Sequence, residues 1–147
     1  MSTMFRHFSF AIFLIISASA CTTAGGLSDE DALTQDGASR LNAAQVKAHV
    51  TGKTEEWIHG GGYYLADGEL KAKWRKAYLK GSWEVSTEGD LCYQLPKWEK
   101  RCNVYMEKDG DVYLLDEGKS LGVRRMYEGD KLVSLGRDPN AGWGRKR

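Results

Sequence analysis

Four short turns set the frame of this chain. Asp67-Gly68-Glu69, Glu88-Gly89-Asp90, Asp109-Gly110-Asp111 and Glu128-Gly129-Asp130 each place a glycine between two acids, and the glycines fall 21, 21 and 19 residues apart. Glycine supplies the positive φ of a tight hairpin, and its acidic neighbours stay in water. Each interval accommodates two strands of about five to seven residues and a return turn. Return turns occur near Arg75-Lys76-Ala77, Pro96-Lys97-Trp98 and Glu117-Gly118-Lys119. Between them lie Gly62-Tyr63-Tyr64-Leu65, Leu70-Lys71-Ala72-Lys73-Trp74, Ser82-Trp83-Glu84-Val85 and Val112-Tyr113-Leu114-Leu115, all of strand composition. Leu70, Ala72 and Trp74 fall on one face of a strand, Lys71 and Lys73 on the other. The expected fold is mainly β, an antiparallel up-and-down meander of about eight or nine strands. Protection of its edges favours a curved sheet or small barrel. One short helix leads it over 43–51, capped by Asn42, with Val46 and Val50 on one face and Gly52 at its end. His49 on that helix reads as a surface or packing residue, and Gly60-Gly61-Gly62 as a flexible turn before Tyr63.

Alternate turns of such a meander fall at the same end. The acidic turns therefore gather at one rim. The other rim collects Arg75, Lys76, Lys80, Lys97, Lys100 and Arg101, diluted by Glu99, Asp116 and Glu117. Hairpin tips are hydrophilic in any case. The functional reading makes Arg75, Lys76, Lys97, Lys100 and Arg101 a candidate binding surface, assisted by a basic tail over 138–147 that ends in Arg145-Lys146-Arg147. Its partner would be an anionic envelope polymer or an acidic envelope protein.

Residues 1–20 have the order of an export signal. Arg6 is the only charged residue among them, Phe8 to Ile16 are apolar except for Ser9, and small residues follow to Ala20. The apolar run is too short to span a bilayer, which takes about 20 residues, but it suits a cleaved signal peptide. Ala18-Ser19-Ala20-Cys21 resembles the lipobox of bacterial lipoproteins, in which the cysteine is diacylated and becomes the new N-terminus. Ala18 stands where that family usually has Leu, and Ala-x-Ala also suits ordinary cleavage. The resemblance implies lipidation at Cys21 and residence on the periplasmic side of the outer membrane, with the soluble periplasm as the alternative. Residues 21–40 are rich in Gly, Ser, Thr, Ala and Asp and read as a lipid-anchored flexible tether, reaching on the order of 25 Å. A single β domain follows over 41–137.

The cysteines support this division. Cys21, Cys92 and Cys102 are three, an odd number for an exported chain. With Cys21 assigned to lipid, Cys92 and Cys102 remain as a pair on adjacent strands flanking the Pro96 loop. Directly opposed strand residues lie within disulfide range, and an oxidising periplasm permits the bond. Metal ligation is disfavoured because His49 and His59 are not close in sequence to either cysteine. No C-x-x-C motif is present for redox chemistry.

Charge and motifs narrow the function further. Loss of Arg6 with the signal takes the formal charge from +1 to 0, so nothing pulls the domain globally toward nucleic acid. Asp109-Gly110-Asp111 lacks EF-hand spacing, and Gly60-Gly61-Gly62 matches no phosphate fingerprint. His59 is the best candidate for acid–base chemistry. Glu55 and Glu56 are near it, but no nucleophile motif accompanies them. The reading is therefore a non-enzyme with no cofactor and no metal. Trp57, Trp74, Trp83, Trp98, Tyr63, Tyr64, Tyr93, Tyr105 and Tyr113 crowd the β region. They serve either as core or as the lining of a calyx for a small apolar ligand.

Gly60-Gly61-Gly62-Tyr63-Tyr64, Asp67-Gly68, Trp74, Gly81-Ser82-Trp83-Glu84-Val85, Leu91-Cys92-Tyr93 and Cys102, in that order, resemble a family of small exported alphaproteobacterial proteins, domain of unknown function 995. The resemblance covers residues 41–107 and implies an exported β domain without catalytic residues. A broader likeness, the Gly-x-Trp strand and single disulfide, is to periplasmic β-barrel protease inhibitors. The functions expected are an envelope lipoprotein acting as a non-enzymatic binding or assembly module, an inhibitor of a secreted hydrolase, or a carrier of a small apolar ligand.

Overall fold

A computed structural model describes residues 27–135. Cys21, the signal segment and the basic tail lie outside the described residues. Nine consecutive strands form the body: β2 Lys53–Trp57, β3 Gly60–Tyr64, β4 Glu69–Trp74, β5 Ala77–Val85, β6 Leu91–Gln94, β7 Arg101–Lys108, β8 Asp111–Asp116, β9 Lys119–Val123 and β10 Met126–Glu128. All pairings are antiparallel, in the order β10-β2-β3-β4-β5-β6-β7-β8-β9. The fold is thus the expected curved meander.

The curl has a specific cause. Only Arg124 and Arg125 separate β9, on one margin of the sheet, from β10, on the other. The Arg124 N–H donates to the Val112 carbonyl at 3.0 Å, and the Glu56 N–H donates to the Arg125 carbonyl at 3.0 Å. Consecutive residues therefore bond opposite margins, and one chain segment draws the sheet round on itself. A bulge eases this path. The β8–β9 register shifts between Tyr113 and Leu115, where Gly122 takes a φ of 82°.

Inside the curl, Tyr64, Leu70, Trp83, Leu91, Tyr105 and Leu114 form one core with Val46 and Val50. The last two belong to α2, Ala43–Val50, which closes the end carrying the four acidic turns. Asn42 and Gln45 make a reciprocal capping box at its start. Gly89, at a φ of +93°, lets the 86–90 turn meet this start. A β-carbon there would lie 2.5 Å from the Leu41 carbonyl oxygen.

Two expectations are corrected. The segment read as a tether over 21–40 is folded from Asp29 onward. It forms α1, Asp29–Gln35, and β1, Ser39–Arg40, which pairs with β7 at Glu107 and Met106. The acids that read as solvated composition are first-turn residues. Ser28 caps the helix by accepting from the Asp31 N–H, and Asp29, Glu30 and Asp31 face its positive end. Leu33 and Ala38 pack on Met106 and Leu115, and the Ser120 N–H donates to Asp29 at 2.7 Å. Among the described residues there are therefore two short helices where one was expected.

The Gly60-Gly61-Gly62 run is the buried strand β3, not a flexible turn. Its glycines are demanded by close approach from both faces. A β-carbon on Gly61 would lie 2.4 Å from Leu135 outside the sheet, and one on Gly62 would lie 2.6 Å from the Trp57 indole inside it. The missing side chain at Gly62 makes room for the Trp57 indole, and that at Gly61 for Leu135.

Candidate functional site

Opposite α2, the sheet opens into a cup of about 510 Å³, within the range of pockets that hold small molecules. Its walls come from strand ends. Trp57 closes β2, Trp74 closes β4, Tyr93 lies on β6 and Trp98 sits in the β6–β7 loop. Trp57 and Tyr93 stack at 5.7 Å and 23°, while Trp74 and Trp98 meet edge to face at 5.3 Å and 89°. Leu114 and Leu121 complete the apolar lining, and Ile58 stands at the mouth with 55 % of its surface exposed.

The polar groups of the cup come from β7, β8 and the β9–β10 break. Asn103 is only 4 % exposed, and its Oδ1 is buried without a hydrogen-bond partner among the described residues. A buried acceptor left unmatched costs about 1–3 kcal/mol. Arg124 is 9 % exposed, with its Nε 3.9 Å from Glu55. Behind it the buried Glu55 carboxylate accepts from Trp57 Nε1 at 3.0 Å, Tyr64 Oη at 2.8 Å and Tyr105 Oη at 3.0 Å. Burial pushes both phenols well above their ordinary pKa, and the Glu55 charge adds to the shift. They stay protonated as donors. Tyr93 is raised too, first by burial and then by Glu55.

The candidate cations of the basic rim separate. Arg75 and Lys76 are exposed on the β4–β5 turn and line no part of the cup. Lys97 and Arg101 do line it. Arg101 donates to Asp116 at 2.7 Å, and Lys100 pairs instead with Glu84 of β5. Two of the five are thus matched by carboxylates, which weakens the rim as a field for an anion. His59 is exposed outside the cup, its ring edge against Trp74 at 5.3 Å. Glu56 pairs with Tyr127 and Arg125. Cys92 and Cys102 are joined, with an S–S distance of 2.06 Å and Cα atoms 4.0 Å apart. The bond ties β6 to β7 beside Asn103 and so fixes the strand that carries it.

The family model for proteins of unknown function, DUF995, matches residues 11–130. The chain belongs to that family. The match reaches well beyond residues 41–107, over which the motifs were recognised, and takes in α1, β1 and every strand to β10. No curated protein and no solved structure matches this DUF995 chain. Asn103 and Arg124 were not singled out from sequence. Asn103 had a signal, since it alternates with the inward Tyr105 on β7. Arg124 had none, because its inward position depends on the break between β9 and β10.

Proposed function

We propose that this DUF995 chain is a non-enzymatic binding module of the bacterial envelope that seats a small ligand in the aromatic cup. The observation that carries the reading is Asn103 Oδ1, a buried acceptor without a hydrogen-bond partner among the described residues, in a cavity walled by Trp57, Trp74, Tyr93 and Trp98. Pockets of this kind combine an apolar lining with few, well-placed polar groups. A purely apolar cargo is disfavoured because it would strand that acceptor. Export rests on the signal-like residues 1–20, and a lipid on Cys21 would hold the domain at the membrane. Loss of palmitate-analogue labelling in Cys21→Ser checks the anchor, and equal labelling of the variant contradicts it. For the cup, native mass spectrometry of the chain taken from its envelope is expected to show a small-molecule adduct. Leu121→Trp, which fills the mouth, is expected to remove the adduct with the melting temperature retained. An adduct that persists in Leu121→Trp, or no adduct in the parent chain, contradicts the reading.

A further inference from the structure

We infer that the ligand is the neutral end of a saccharide, its pyranose ring lodged in the Trp74–Trp98 corner and a hydroxyl donating to Asn103 Oδ1. The inference rests on the cup being a ligand seat, and three features of the cup select this class.

The first is charge. Lys97, Arg101 and Arg124 line the cavity, against the carboxylates Glu99 and Asp116 and, behind Arg124, Glu55. Three cations and two carboxylates line the cavity, and Glu55 stands behind Arg124, so the formal charges largely cancel and no strong net charge selects an ionic ligand. An anionic headgroup would also sit against the acceptor Oδ1 of Asn103. The second is hydrogen bonding. Oδ1 needs a donor, while Lys97, Arg101 and Arg124 offer donors and Glu99 and Asp116 offer acceptors. A hydroxyl both donates and accepts, and can meet either kind.

The third is the shape of the aromatic wall. Trp57 and Tyr93 stack on each other, so they leave no parallel slot between them. Trp74 and Trp98 stand at 89° and form a corner. A flat aromatic ligand would gain one ring face there and leave the corner unfilled. A pyranose ring is thicker, with apolar C–H faces and hydroxyls around its edge, and it can cover one indole while abutting the other. Because the cup opens outward at Ile58, a longer chain can leave through the mouth while its end is held.

The test uses the full chain with chitotriose and maltotriose as neutral probes, trigalacturonate as the acidic probe and N-phenyl-1-naphthylamine as the apolar one, followed by tryptophan and probe fluorescence. At least one neutral oligosaccharide is expected to bind, more tightly than trigalacturonate. Asn103→Leu is expected to weaken it about tenfold or more, as loss of a hydrogen bond made in a buried site does. Trp98→Ala, in a loop and so tolerated by the sheet, is expected to weaken it to a similar extent. If Asn103→Leu does not fold, Trp98→Ala alone carries the comparison. Tighter binding of trigalacturonate overturns the neutral assignment. Binding of the naphthylamine alone, blocked by Leu121→Trp, overturns the saccharide while the cup stands as a ligand seat. Neutral binding unchanged by both variants places the sugar elsewhere and overturns the inference. If no probe binds, the saccharide assignment falls, and an envelope-derived adduct lost in Leu121→Trp shows whether the cup reading falls with it.

Discussion

At the end of the curled sheet that carries the acidic turns, α2 lowers Val46 and Val50 onto Tyr64, Leu70 and Tyr105 and seals the interior. At the other end no described residue covers the strand ends, and Trp57, Trp74 and Trp98 line an open cup. Both ends come from one meander with similar turns and similar aromatic content. The difference is cover: α2 packs over the core at the sealed end, while the aromatic wall of the other end faces a cup. A buried polar atom without a hydrogen-bond partner among the described residues occurs at each, His49 Nε2 on α2 and Asn103 Oδ1 in the cup. Packing accounts for the first end, and the proposed ligand would occupy the second.

The largest effect should come from cutting into the sealed end. Leu91→Ala removes a fully buried side chain and is expected to cost about 2–5 kcal/mol in urea unfolding. Leu121→Ala at the mouth, 37 % exposed, should stay within about 0.5 kcal/mol. Equal losses would break the contrast. The double change Cys92→Ser with Cys102→Ser opens a loop of sequence separation 10 and should cost about 2–3 kcal/mol on chain-entropy grounds. Because β7 carries Asn103, this variant should also loosen the cup, read as faster amide exchange at residues 101–103 than at 45–50. Asn42→Ala removes the capping-box side chain of α2 and should cost about 1 kcal/mol. Ligand binding at the far end should be unchanged.

The smallest effect is a pH slope at the sealed end. Burial first, then Lys53, lowers the His49 pKa below its ordinary 6.5, with Glu55 opposing. The folded state therefore disfavours the protonated ring, and the unfolded chain binds the proton more readily. The contribution is fully present above about pH 6.5 and is lost as pH falls from there toward the lowered folded value. His49→Gln should flatten that part of the stability profile, and an unchanged slope would remove His49 as its source.

The periodic turns made the meander legible, because glycine between acids has few other uses at that spacing. The inward alternation of Leu70, Ala72 and Trp74 was legible for the same reason. The Asn42 cap was visible, yet the equivalent Ser28 with its three acids passed as linker composition, since a short helix with no fully buried residue has little apolar period. The cup was harder to see. Its walls are residues far apart in sequence, and the same indoles that line it would serve equally as core. What distinguishes them is that they cluster at strand ends on one side of the sheet, and this depends on closure through Arg124 and Arg125. The triple glycine misled for a related reason. Its meaning lies in Trp57 and Leu135, which crowd it from opposite faces.

The central claim is that the open end, and not the sealed one, is the ligand seat. Indole ¹H–¹⁵N resonances of the full chain, titrated with chitotriose, maltotriose and N-phenyl-1-naphthylamine, test it most directly. The account predicts that at least one probe displaces the Trp57, Trp74 and Trp98 signals while Trp83, in the sealed core, stays in place. Displacement centred on Trp83 or on amides of the acidic turns, or no displacement by any probe, would contradict it.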